Sequence, residues 1–120
     1  MAIFDSEQDL LKALDLHDDL VRQCVAGNLS FDEFCAQYND FYAYYALDGH
    51  ESDLSERALF EKSTHRIRPH EFIAYDILGC VCSDTDAELV SYKLAGRFGS
   101  KEAIERLSRL QFPKLFKDEA

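Results

Sequence analysis

A chain of 120 residues, 47% of them hydrophobic, is long enough to bury one core without disulfide or metal staples. Its formal charge of −10 repels nucleic-acid phosphate and anionic lipid, and no run approaches the ~20 apolar residues that a membrane-spanning helix needs. The charge is unevenly placed: Met1 to Glu56 holds 13 acids against Lys12 and Arg22, a net of −11, while Arg57 to Ala120 holds 10 acids and 11 bases, a net of +1. A first half of this sign attracts basic surfaces and accelerates their encounter.

Met1-Ala2-Ile3-Phe4, followed by Asp5, Glu7 and Asp9, lacks the basic region and long apolar run of a secretory signal. This predicts a cytoplasmic chain with reduced thiols. Cys24, Cys35, Cys80 and Cys82 are then expected as small core hydrophobes, and Cys80-x-Cys82 lacks the two-residue spacer of redox and zinc pairs.

Helical punctuation dominates from the start. Ser6 opens a first helix that Gly27 ends, with Leu10, Leu11, Leu14, Val21, Cys24 and Val25 as its inward stripe. Ser30 opens a second, and Glu33 completes a capping box. Phe31, Phe34, Cys35, Tyr38, Phe41, Tyr42 and Tyr45 then follow a helical spacing up to Asp48-Gly49, where Gly49 suits a left-handed C-terminal position.

A third helix is expected after Ser52, carrying Leu54, Ala58 and Leu59 and ending before Pro69. Pro69 suits the first turn of a fourth, whose Phe72, Ile73, Ile77, Leu78, Cys80 and Val81 cover most of its circumference and predict a central position. Ser83 caps a fifth helix running through Leu89, Val90, Tyr92 and Leu94 to about Arg97. Gly99-Ser100 starts a sixth with Ala103, Ile104, Leu107 and Leu110, closed by Pro113. No repeat or low-complexity linker interrupts the series. The expected fold is all-α, one compact bundle of five or six helices joined by short loops, forming a single domain over residues 1–120.

The familiar catalytic signals are absent. His50-Glu51 and His70-Glu71 lack the second histidine of a zincin, because Leu54 and Ala74 occupy those places. Asp48, His50, Glu51 and Asp53 depart from the EF-hand pattern, so no metal site and no cofactor is inferred. There is no G-x-S-x-G, P-loop or G-x-G-x-x-G, and His17, His65 and His70 have no cysteine or serine that sequence can place beside them. The expectation is a protein without catalytic residues. A small metal-dependent enzyme is the alternative that bound metal would support.

What remains is an acidic, aromatic surface. With Tyr38, Phe41, Tyr42 and Tyr45 inward, Tyr44 is rotated off the stripe by a helical step of about 100° and is the expected exposed aromatic. Asp32, Glu33, Asp40, Asp48, Glu51, Asp53 and Glu56 are expected to surround it on the outer face and in the following loop. His50 would add positive charge to that loop as pH falls below about 6.5. A tyrosine among carboxylates suits the capture of a basic protein.

The run Leu20-Val21-Arg22-Gln23-Cys24-Val25-Ala26-Gly27-Asn28-Leu29-Ser30-Phe31-Asp32-Glu33-Phe34, with Tyr38 one turn later, resembles the opening of colicin-type immunity proteins, the colicin D-like group above all. The resemblance covers the first third of the chain and does not extend beyond Glu51. It implies a small, acidic, helical bacterial protein that binds a cognate basic toxin domain and masks its active site. Tyr44-Tyr45 is also similar in chemistry to the paired tyrosines of the E-group immunity proteins. A helical adaptor that dimerises with itself through residues 84–111 is a further alternative.

Overall fold

Ser6 begins the fold as expected, its hydroxyl accepting from the Asp9 amide at 3.2 Å. The computed structural model describes residues 6–39, 41–45, 47 and 54–110. Helix α1 runs Glu7–Val25, and Gly27 follows it at φ +86°, the left-handed conformation that glycine adopts without a Cβ penalty. Helix α2, Phe31–Tyr38, opens on the capping box: the Ser30 hydroxyl accepts from the Glu33 amide at 3.1 Å, and the Glu33 carboxylate accepts from the Ser30 amide at 2.9 Å.

The expected long second helix is broken. Asn39 takes φ 50°, ψ 48°, a left-handed conformation that asparagine tolerates better than most side chains, and α3 restarts as Phe41–Tyr44. On both sides of the break the aromatic series still faces inward: Phe34 and Tyr38 from α2 and Phe41 from α3 are fully buried. The expected stop at Gly49 lies outside the described residues.

The third and fourth helices are also divided differently from the expectation. Helix α4 is Leu54–Lys62, and α5, Thr64–Phe72, continues directly into a π-helix, Ile73–Leu78. Pro69 is inside α5, not at the start of a helix. It is the sixth residue of that helix, so its missing N–H leaves the His65 carbonyl without its usual i+4 amide donor. Ile73 and Ile77 are buried, but Phe72 and Tyr75 are exposed, so this segment is not apolar on every side.

The fifth helix is largely replaced. A 3₁₀ turn, Asp86–Glu88, and a short α6, Val90–Leu94, occupy the region. Val81 and Phe98 form a parallel bridge, in which the Cys82 amide donates to the Phe98 carbonyl at 2.7 Å. A continuous helix over residues 84–97 would carry the chain about 21 Å away. Closure at Phe98 therefore overrides local helical preference. Helix α7, Ser100–Ser108, buries Ala103 and Leu107 as expected.

Among the described residues the only pairing of extended segments is that bridge, and the architecture is an all-α bundle. Helix α1 lies against α2 and α7, while the α5–π segment lies against α3 and α7. Leu10, Leu14, Val21, Cys24, Phe34, Tyr38, Phe41, Ile73, Ile77 and Leu107 form its centre. No disulfide joins the cysteines, of which Cys24 is buried and Cys35, Cys80 and Cys82 are half-buried. No described helix is long and apolar enough to cross a membrane.

Candidate functional site

Of the expected surface residues, Tyr44 is where the spacing puts it. It is 65% exposed at the end of α3, its ring edge-on to Tyr45 with centroids 5.0 Å apart. Tyr45 and Phe41 hold α3 to the middle of α1: the His17 ring stacks on Phe41 at 3.8 Å and meets Tyr45 edge-on at 6.3 Å. Asp15, Leu16 and Asp19, on the turns of α1 beside His17, are exposed.

The carboxylates do not all surround this tyrosine. Asp32 and Glu33 are exposed, but at the first turn of α2, about 8 to 9 Å of helix from its end. Asp32 lines a cavity of about 440 Å³ with Cys82, Ser83, Asp84 and Ser100, remote in sequence from α3. Glu33 is engaged in the capping box. Asp40, Asp48, His50, Glu51 and Asp53 lie outside the described residues.

Glu56 departs most from the expectation, being 2% exposed. The inward positions of this segment are Glu56, Phe60 and Ser63, whereas Leu54 is 81% exposed and Ala58 is also at the surface. Phe60 is the largest apolar side chain of α4 and sets its phase, which carries Glu56 inward one turn earlier.

The structure also builds a polar site that the sequence reading missed. Tyr38, His70 and Asp18 are fully buried and form a chain across α2, α5 and α1. The Tyr38 hydroxyl is 2.7 Å from His70 Nδ1, and His70 Nε2 is 2.5 Å from Asp18 Oδ1. Arg66 continues the chain outward, its Nη2 donating to Asp18 Oδ2 and to Asp15 Oδ1, each at 2.9 Å. Arg66 Nε is buried without a hydrogen-bond partner. A carboxylate can only accept, so His70 Nε2–H donates to Asp18.

The signal for this chain was present in the periodicity. Asp18 and His17 lie four and three residues after Leu14, inside the inward stripe of α1, and His70 lies three residues after Ile67. A charged residue on an apolar stripe requires a buried partner. Here the network joins three helices, and its depth gives a substrate no access to the tyrosine or the imidazole.

His17 donates Nδ1–H to the Ala13 carbonyl at 2.7 Å. Burial pushes its pKa below the ordinary value, opposed by that hydrogen bond. Elsewhere a cavity of about 690 Å³ includes Asp84, Lys93, Arg97 and Lys101. Arg97 is committed to the carbonyls of Cys80 and Val81, at 2.8 and 3.1 Å. The amide of Ser100, at the start of α7, already donates to Asp84 Oδ1 at 2.7 Å, which holds the Asp84 carboxyl below its usual pKa. The chain thus supplies its own anion there.

No group of three or more His, Cys, Asp or Glu side chains that could hold a metal occurs among the described residues. No protein-family model matches the chain, and comparisons with curated proteins and with solved structures return no significant match.

Proposed function

We propose that this chain is a non-catalytic binding protein, an immunity- or antitoxin-like inhibitor that masks a basic bacterial toxin domain, a nuclease being the class its charge suits. The observation that carries this reading is Tyr44, 65% exposed within a first half of net charge −11. A tyrosine supplies contact area and a hydrogen-bonding tip at low entropic cost, and carboxylates steer and pair with lysine and arginine.

Inhibition would work by occlusion. Carboxylates near Tyr44 in sequence, Asp40, Asp48, Glu51 and Asp53, take the place of substrate phosphates in a basic cleft. Asp32 and Glu33 contribute to long-range attraction from the other end of α2, and the buried Glu56 is outside the contact set. The resemblance of residues 20–38 to colicin-type immunity proteins supports the same assignment.

The experiment is a native pull-down with a tagged copy at low and moderate salt, followed by association kinetics with the recovered protein. A stoichiometric basic partner that associates more slowly with Asp48→Asn, Glu51→Gln and Asp53→Asn combined is expected. Unchanged kinetics and salt dependence in that triple variant would refute the reading.

One observation favours the second reading, a homodimeric helical adaptor. Leu89, Val90 and Leu94 on and beside α6 are 49%, 70% and 84% exposed, within the segment expected for self-association. A dimer that persists after loss of the acidic side chains and dissociates on Leu94→Glu would support it.

A further inference from the structure

Phe41 is held between two imidazoles. The His17 ring lies parallel to it with centroids 3.8 Å apart, and the His70 ring stands edge-on to it at 5.1 Å. His17 also meets Tyr45 edge-on at 6.3 Å, and Tyr45 meets Tyr44 edge-on at 5.0 Å. The Tyr45 amide donates to the Phe41 carbonyl at 3.1 Å, so His17 touches both ends of the one turn that carries Tyr44. A single buried side chain of α1 is thus two ring contacts away from the exposed tyrosine.

The surroundings of His17 suit a neutral ring. It is 6% exposed, its Nδ1–H is spent on the Ala13 carbonyl, and the rings against it are Tyr38, Phe41 and Tyr45. The ionisable groups that bear on it are Asp18 on α1 itself, Tyr38 from α2, Tyr45 from α3 and His70 from α5. Asp18 is the one carboxylate among them, and its Oδ1 and Oδ2 already take His70 Nε2 and Arg66 Nη2. Burial pushes the His17 pKa below its ordinary value and His70 adds to this, while the Ala13 carbonyl and Asp18 oppose it. A hydrated ring therefore takes the proton at a higher pH than the stacked one. As pH falls through about 6.5, a His17 turned out of the stack gains on the docked ring.

We propose that His17 is a pH-sensitive positioning residue of the Tyr44 surface: neutral, it fixes Phe41 and Tyr45 and with them the setting of Tyr44; protonated, it leaves the stack and a basic partner is held less tightly. This rests on the reading of Tyr44 as a contact for basic proteins. One proton limits the effect to about tenfold in affinity for each pH unit.

The test uses the full chain carrying 3-fluorotyrosine and ¹⁵N-histidine, with signals assigned by single Tyr→Phe and His→Gln variants. Between pH 7.5 and 5 the Tyr44 and Tyr45 fluorine signals are expected to move with the midpoint of the His17 imidazole, while Tyr92, on α6, stays unmoved. His17→Phe keeps a ring against Phe41 but cannot take the proton, and should abolish the movement; His50→Gln should leave it intact. Hexa-arginine amide, the probe for a basic partner, should bind the parent about threefold or more weakly at pH 5 than at pH 7.5, with a smaller difference in His17→Phe. Steady Tyr44 and Tyr45 signals while His17 titrates would mean that the imidazolium stays on the Phe41 face, and overturn the inference. A His17 that remains neutral at pH 5, or movement that survives in His17→Phe, also overturns it. An equal pH effect on the peptide in both chains overturns the regulation and leaves Tyr44 standing as a contact. No binding of the peptide at either pH overturns the binder reading and the regulation with it. The coincident midpoints are read on the parent chain, so the test holds even where His17→Phe folds poorly.

Discussion

Asn in place of Asp18 keeps the side-chain shape but removes the one fully buried negative charge of the Tyr38–His70–Asp18–Arg66 chain. The amide can still accept from Arg66 through its oxygen. Its NH₂ must then face His70 Nε2, which forces the imidazole into the other tautomer, with Nδ1–H donating to the Tyr38 oxygen. Hydrogen bonds can thus be remade, but charge compensation cannot. The Arg66 side chain, 10% exposed, would retain only Asp15, whose own side chain is 50% exposed.

Breaking a buried pair on one side costs about 3 to 5 kcal/mol, and the remaining Asp15 contact puts the expected loss near the lower end, about 3 kcal/mol. At about 2.1 cal/mol/K of unfolding entropy per residue, the 120-residue chain should lose about 12 °C in Tm. Urea unfolding followed by circular dichroism, together with a thermal melt, measures both. Arg66→Met added to Asp18→Asn should recover at least about 1 kcal/mol, since it removes the uncompensated cation. A loss below about 1 kcal/mol for Asp18→Asn, or strict additivity in the double variant, would refute the claim that this network holds α1 to α5.

Three further outcomes follow from individual side chains. His17 has a folded pKa below its unfolded value, so the unfolded chain binds the proton first and stability should decline as pH falls through about 6.5; the urea midpoint of His17→Phe should depend less on pH across 7.5 to 5, and an identical slope would contradict the assignment. Gly79→Ala should destabilise by about 1 to 3 kcal/mol, because the new Cβ meets the Tyr75 carbonyl at 2.8 Å. Its amide exchange should rise along residues 73–78, and a variant as stable as the parent would mean that the π-turn closes without glycine. Ser30→Ala removes the hydroxyl that accepts from the Glu33 amide and should cost about 1 kcal/mol in urea unfolding. An unchanged midpoint would show that α2 depends on packing alone.

What the sequence determined by itself is local. Ser6, Gly27 and the Ser30–Glu33 box fixed the ends of α1 and the start of α2, because a cap is satisfied by residues three or four positions away. The exposure of Tyr44 was legible for the same reason, as one step of helical rotation from an apolar stripe.

The tertiary structure decided everything that depends on contacts distant in sequence. Phe60 needed a place in the core and turned α4 so that Glu56 went inward and Leu54 outward. The bridge between Val81 and Phe98 required the chain to return within a short distance and shortened the expected fifth helix to α6. Asp18 is 52 positions from His70 and 48 from Arg66, and only packing of α1 against α5 makes it their partner. Periodicity could show an acid facing inward. Which base would meet it is a property of the folded chain, because desolvation makes the pairing obligatory only once the helices are in contact.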